Sequence, residues 1–537
     1  MMKRTDDMSK GREDKQPRLI ATDETGEEGE MEQEGQGWGK TPKGKARLRK
    51  PNRAQMVMAM IDVEELVAAD HPVRGIWELV GSLDLSKYAE QIKAVEGGAG
   101  RPPWDPQLLI SLWIYAYSDG VNSAREIERL SKHDPAYQWL VGLEEVNHHT
   151  LSDFRAGHRK ELNQLFAEVL GLLRAEGLIS LERVTQDGTK IRACASSKTF
   201  KREDKIREWI EEAQEHIRIL DSTPEEEISR RKAKARERAA RERKENLTKA
   251  LSELPKVRAA KGKRKEKKEA RVSISDPEAR KMKHADGGYA PSYNVQITTD
   301  AANKIIVGVE VIQAANDYEG LEKGMDQVVA NTGEAPKQVL VDGGYVDANN
   351  IVAMERRGID LIGAFGNQHD TATACERRGV AKEYHPEKFA YDSESDTYKC
   401  PAGKILRYLK DEISFRKISH IYQAALPDCQ ACPYKKECCP KAVKKGRSIM
   451  RSEPRPEVLA LAAKMQSEQA KAIYKQRAPI AEFPNAWIKE KLGLRRFRLR
   501  GLPKVGMEAL WACLTYNIQQ WIRLSWRPAL ALSVRSG

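Results

Sequence analysis

The chain has 537 residues, 32% of them charged, and its 92 Lys and Arg against 79 Asp and Glu leave a net charge of +13. That length predicts two or three domains, and the basic surplus points to an anionic partner, of which nucleic acid is the commonest. No stretch reaches the apolar length of a bilayer span, and the N-terminus is polar and acidic where a signal peptide would be apolar, which argues against a membrane protein and for a cytoplasmic, nucleoid-associated one.

Residues 1–55 are rich in Glu, Lys, Gly and Asp with too few apolar positions to offset the entropy of ordering, and a disordered tail is expected there. From Met56 apolar residues recur at helical spacing, through Ile76, Trp77, Leu79 and Val80 and again through Leu108, Leu109, Leu112, Trp113, Tyr115 and Ala116. This predicts an all-α domain over residues 56–175. Within it, Asp119-Gly-Val-Asn122 followed by Ser123-Ala-Arg-Glu-Ile-Glu-Arg-Leu130 reads as a turn and then a helix. Ser123 is the expected cap, Glu126 stands three residues on, and Arg125 and Arg129 lie one turn apart on one face. A DNA-binding helix-turn-helix and a purely structural bundle both fit that pattern.

Two β-rich stretches, residues 179–192 and 293–312, flank a charged block over residues 201–271 in which 24 Lys and Arg face 16 Asp and Glu. Its surplus of eight is more than half of the whole chain's. The block reads either as a solvated helical hairpin laced by opposite charges or, through Lys261-Gly-Lys-Arg-Lys-Glu-Lys-Lys268, as a basic arm on a DNA backbone. Inserted there, it leaves the strands on either side free to pair.

Three carboxylates stand in settings suited to a metal ion. Asp187, in Val184-Thr-Gln-Asp-Gly-Thr-Lys190, is expected in an Asp-Gly turn with Ile191-Arg-Ala193 as the return strand. Asp342 ends the apolar run Gln338-Val-Leu-Val341 and precedes two glycines, the pattern of a buried strand that delivers a carboxylate to its open tip. Glu482 precedes a predicted helix, Asn485-Ala-Trp-Ile-Lys-Glu-Lys491, that carries Lys489, with Pro479 and Pro484 at the helix entry. Together they point to metal-dependent phosphoryl transfer on DNA. Asn316-Asp317, after the strand-like Ile305–Ile312, reads as a turn or helix cap with metal ligation as the alternative.

Eight cysteines are too few for a disulfide scaffold in a chain this long. Cys400-Pro-Ala-Gly, Cys429-x2-Cys432 and Cys438-Cys439 have the spacing of a closed, structural zinc knuckle, in an insertion over about residues 395–445. Cys438 is preferred over Cys439 as fourth ligand, a choice that spacing leaves open. Cys194, Cys375 and Cys513 read as lone thiols.

Several further segments join these: Gly100-Arg-Pro-Pro-Trp-Asp-Pro-Gln-Leu-Leu109, Ser152-Asp-Phe-Arg155, Ser275-Asp-Pro-Glu-Ala-Arg280, Tyr293-Asn-Val-Gln296, Tyr474-x2-Arg477-x4-Glu482-x6-Lys489 and Arg498-Leu-Arg-Gly501. In this order they resemble the bacterial insertion-sequence DDE transposases, from Met56 to about Leu524. The resemblance implies an α/β architecture: a ribonuclease H-like catalytic domain over residues 176–524, a mixed sheet flanked by helices, beside the all-α N-terminal domain, with the charged helical insertion and a short tail over residues 525–537.

It also implies that Asp187, Asp342 and Glu482 are the catalytic carboxylates and hold Mg²⁺ or Mn²⁺. Tyr474, Arg477 and Lys489 would contact transposon-end DNA, although relatives often place three residues between this Arg and Glu where four stand here. Arg125 and Arg129 would serve end recognition. The implied activity is binding of terminal inverted repeats, strand cleavage and strand transfer into target DNA, by a homo-oligomer on paired ends. A catalytically silent DNA-binding protein, or a nuclease of the same fold without strand transfer, is the competing reading.

Overall fold

The computed structural model describes residues 60–90, 92, 102–222, 230–261, 269–365, 375–414, 417–440, 444–453 and 455–536. The tail expected over residues 1–55 and the basic run after Lys261 lie outside them.

From residue 72 to 175 the described chain is helical, as its apolar periodicity dictates, in Pro72–Gly81, Ser86–Ala89, Pro106–Ser118, Ala124–Leu130, Pro135–Val141, His148–Gly157 and Arg159–Ala175. Asp105 and Asp134 each accept a backbone N–H in the first turn, and the proline after each has no N–H to leave unpaired. Ser123 stands at the N-cap of Ala124–Leu130 without a side-chain cap bond. The expected capping box does not form because Glu126 turns to Arg129, which donates to it at 2.5 Å. Val73, Ile76, Trp113, Tyr117 and Phe166 belong to the same apolar core as Val184, Ile297 and Val339 of the central sheet and Trp511 of the last long helix.

That sheet begins with β1 (Arg183–Arg192). β2 (Phe200–Lys201) and β3 (Val272–Ser273) pair with each other at the base of the charged insertion. The sheet resumes with β4 (Arg280–Lys283), β5 (Tyr289–Asp300), β6 (Ile306–Ile312), β7 (Gln338–Val341) and β8 (Asp360–Gly363). β5 runs antiparallel to β1, β4 and β6, while β1, β7 and β8 are mutually parallel, so the order across the sheet is β6-β5-β1-β7-β8 with β4 beside β6 on the β5 edge. Helices Gly320–Thr332 and Ala348–Arg356 make the crossovers that parallel strands require. After Pro456–Lys464 and Glu468–Lys475 come Arg477–Glu490 and the buried Leu502–Trp521.

The charged block is an antiparallel pair of helices, Glu203–Ser222 and Arg230–Ala259, with a small core of Ile206, Ala213, Leu247, Ala250 and Leu254 and with Arg258 bound back to Glu203. The second insertion is an antiparallel sheet of β9 (Ala390–Asp392), β10 (Thr397–Lys399), β11 (Ile405–Ser414), β12 (Lys417–Ala424) and β13 (Ser448–Glu453). Residues after 524, read as a tail, contain helix Arg527–Ser536, and the buried Trp526 donates to Glu78 at 2.8 Å. No helix among the described residues is long and apolar enough to cross a membrane.

Candidate active site

Asp187 sits in the middle of β1, not in a turn. The whole stretch Arg183–Arg192 is one strand, paired with β5 from Val184↔Asp300 to Arg192↔Ser292. The turn preference of Asp-Gly is overridden by that long ladder, whose partner lies beyond the charged insertion. Glycine follows for a packing reason: a Cβ at 188 would fall 2.1 Å from Asp317 Oδ1 and 2.6 Å from Gln296 Nε2.

Asp342 follows the last residue of β7, as its strand-then-glycines pattern predicts. Parallel pairing sets Arg183 against Gln338 and Thr185 against Leu340, and the same register carried two residues further aligns Asp187 with Asp342. The Gly344 N–H donates to Asp342 Oδ1 at 2.8 Å and fixes the turn. Two acidic side chains from distant sequence thus meet where β1 and β7 diverge.

Glu482 lies within helix Arg477–Glu490, which begins eight residues earlier than expected and contains Pro484 in its interior; only Pro479 falls in the first turn. Glu482 is exposed. Asn485, its neighbour one turn along, is buried and donates from Nδ2 to Asp187 Oδ2 at 2.9 Å. Burial pushes the Asp187 carboxyl up to about 6, the Arg477 guanidinium opposes this, and the charges of Asp342 and Asp317 add to it. The Lys489 ammonium is lowered by burial, with the Asp187 charge opposing. The helix therefore brings Arg477, Asn485 and Lys489 to Asp187. The Tyr474 ring is partly buried against Leu340, Ile362 and Ala470.

On the other face of β1 a buried polar network meets the same corner. Asn294 and Gln296, two apart on β5 and so on one face, donate to Asp317 Oδ1 at 2.7 and 2.9 Å. Tyr345 donates to Gln296 Oε1. Sequence reading assigned Asp317 to a turn or cap, and it opens the turn into helix Gly320–Thr332, its carbonyl accepting from the Gly320 N–H at 2.9 Å; the helix itself has Glu319 at its N-cap and no side-chain cap bond. Asn485 and the Asn294–Gln296 pair were not singled out as site residues. The period-two spacing in Tyr293-Asn-Val-Gln296, and the one-turn spacing of Asn485 from Glu482, were the available signals.

As they stand, no group of three or more His, Cys, Asp or Glu among the described residues is arranged to hold a metal ion. The donor set at Asp187 and Asp342 is nonetheless all oxygen, the choice of Mg²⁺ and Mn²⁺, and mutual repulsion there is the kind a divalent cation relieves.

Cys400, Cys429, Cys432, Cys438 and Cys439 line one cavity of about 30 Å³ beneath β11 and β12. The Lys404 and Arg447 N–H groups donate to the Cys400 and Cys429 sulfurs at 3.2 and 3.3 Å. Burial pushes the Cys438 thiol up to about 12, with the neighbouring thiols adding to it. In the N-terminal domain Arg125 is exposed, while Arg129 is engaged by Glu126.

A family model described as Transposase DDE domain matches residues 399–522, and one described as Transposase domain (DUF772) matches residues 61–157. Both matches are to transposase domains, and together they support an insertion-sequence DDE transposase. The first match contains Tyr474, Arg477, Glu482, Lys489 and the cysteine cluster, whereas Asp187 and Asp342 precede it. No curated protein matches the chain.

Proposed function

We propose that the chain binds the terminal inverted repeats of its own insertion sequence, cleaves the DNA strands there and joins the freed 3′-hydroxyl to target DNA, with Asp187, Asp342 and Glu482 as the catalytic carboxylates. The observation that carries this reading is the juxtaposition of Asp187 and Asp342 by the β1–β7 register, beneath the helix that bears Glu482. The β6-β5-β1-β7-β8 order, three antiparallel strands followed by two parallel ones, supports a ribonuclease H-like core. Division into a helical end-binding domain over residues 56–175 and a catalytic domain over residues 176–524 remains the proposed organisation, the two sharing one apolar core.

In this reading the three carboxylates would hold Mg²⁺ or Mn²⁺, which when bound supplies charge stabilisation to the attacking and leaving oxygens of an in-line displacement at phosphorus. The chain's own residues do the rest. Asn485 fixes the orientation of Asp187. Arg477 and Lys489, on the same helix, supply positive charge beside it for the scissile phosphate. Gly343 and Gly344 keep the approach to Asp342 free of side chains. Arg125 and Arg129 are the proposed base- or phosphate-contacting pair of the helical domain, and a homo-oligomer on paired ends is the proposed assembly. Cys400, Cys429, Cys432 and either Cys438 or Cys439 would hold a structural zinc that fixes the inserted sheet.

The test is incubation of the purified protein with labelled duplex carrying the repeats that flank its coding sequence. Cutting at the repeat boundary in Mg²⁺ and none in chelator is expected. An intact, bound duplex under all metal conditions would favour the silent DNA-binding protein.

A further inference from the structure

Asp317 is held from one side only. Its Oδ1 takes two amide hydrogen bonds, from Asn294 and Gln296, while its Oδ2 accepts none among the described residues. That free oxygen lies 3.7 Å from where a Cβ on Gly344 would stand, and the same point is 2.9 Å from Asp342 Oδ1. Two carboxylates therefore border one space that a missing side chain leaves open. Asn294, the fully buried residue that holds Asp317, has no donor for its own Oδ1. A free carboxylate oxygen beside a second carboxylate makes a corner rich in acceptors and short of a cation or its waters. Gly188 is the other half of the arrangement, since any side chain there would expel Asp317 from β1.

We infer that Asp317 is a fourth carboxylate of the active site, oriented by Asn294 and Gln296 so that its free oxygen binds a divalent cation together with Asp342. This rests on the reading of Asp342 as a metal ligand. Like-charged groups held this close by neutral amides are stable when a cation lies between them, and two amides on one oxygen leave only the other to face the ion.

The experiment compares the full chain as wild type, Asp317→Asn, Asp317→Cys and Asp342→Asn. Mn²⁺ affinity is measured without DNA by calorimetry or electron paramagnetic resonance, and repeat-end cleavage is titrated with Mg²⁺ and with Mn²⁺. Asp317→Asn keeps an oxygen for Asn294 and Gln296, so its melting temperature should match wild type. Its Mn²⁺ affinity should fall roughly tenfold or more, with the Mg²⁺ midpoint of cleavage rising in step. Asp317→Cys should cleave poorly in Mg²⁺ and be restored in part by Mn²⁺, which accepts a softer ligand. Wild-type Mn²⁺ affinity and Mg²⁺ dependence in Asp317→Asn, with both lost in Asp342→Asn, would overturn the role of Asp317 alone. Retention of both in Asp342→Asn would overturn the reading of Asp342 beneath it.

Discussion

Asp187 is partly buried, faces a second aspartate across the strand register and has one amide to orient it, a combination that raises its proton affinity and leaves its negative charge incompletely matched. Asp187→Asn, Asp342→Asn and Glu482→Gln each remove a ligating charge at almost constant shape. Cleavage should be lost in all three while binding of end DNA persists, read by gel shift and product assay on the same preparations. Cleavage by Asp342→Asn at the wild-type rate would remove that residue from the chemistry. Asn485→Ala should be milder, lowering the cleavage rate roughly 10- to 100-fold without weakening end binding, because it frees the orientation of Asp187 but leaves the carboxylate in place.

Among the elements, β7 was readable from the sequence because an apolar β-forming run ended by two glycines has few other solutions. β1 was readable only in part. Its Asp-Gly pair favours a turn locally, and what holds it extended is β5, whose Ile297 and Gln296 oppose Asp187 and Gly188 from the far side of the charged insertion. The turn at Asp317 was readable but its side-chain partners were not, for the same reason: Asn294, Gln296 and Gly188 lie on other strands. The helix carrying Glu482 was placed too late, since Pro484 looked like an entry signal yet is buried within the helix.

Gly188→Ala tests the strand directly. With a Cβ 2.1 Å from Asp317 Oδ1 something must move, and destabilisation by about 1–3 kcal/mol is expected in denaturant titration, together with reduced cleavage. In the inserted sheet, elemental analysis should find about one zinc per chain, and Cys429→Ser should lose it and lower the melting temperature, because structural zinc contributes folding energy directly. Metal-free protein of unchanged stability would defeat that assignment.

Across the whole molecule, the segment Arg498-Leu-Arg-Gly501 acts as a clamp. The Arg498 and Leu499 N–H groups donate to the buried Glu508, Arg498 Nε donates to Asn122 of the helical domain at 2.7 Å, and Gly501 N–H donates to Asp276. Burial raises the Glu508 carboxyl above its usual value, opposed by the Arg155 charge and the two backbone donors. A raised acid binds its proton more tightly in the folded state, so its contribution to stability is present below the unfolded value and is lost as pH rises through the folded one. The wild-type melting temperature should therefore fall more than that of Glu508→Gln between about pH 4 and pH 8; equal slopes would show that Glu508 does not couple folding to pH.

That clamp ties Asn122, just before the helix carrying the proposed end-binding residues, to the last long helix and to Asp276, a coupling that the proposed cleavage at the boundary of a recognition sequence would use. The measurement that tests this account most directly is strand transfer: the full chain, Mg²⁺, a labelled pre-cut element end with a free 3′-hydroxyl, and a target plasmid. The account predicts labelled end covalently joined to plasmid, absent in chelator and absent with Asp342→Asn. Ends cut or bound under the same conditions but never joined to target would contradict it.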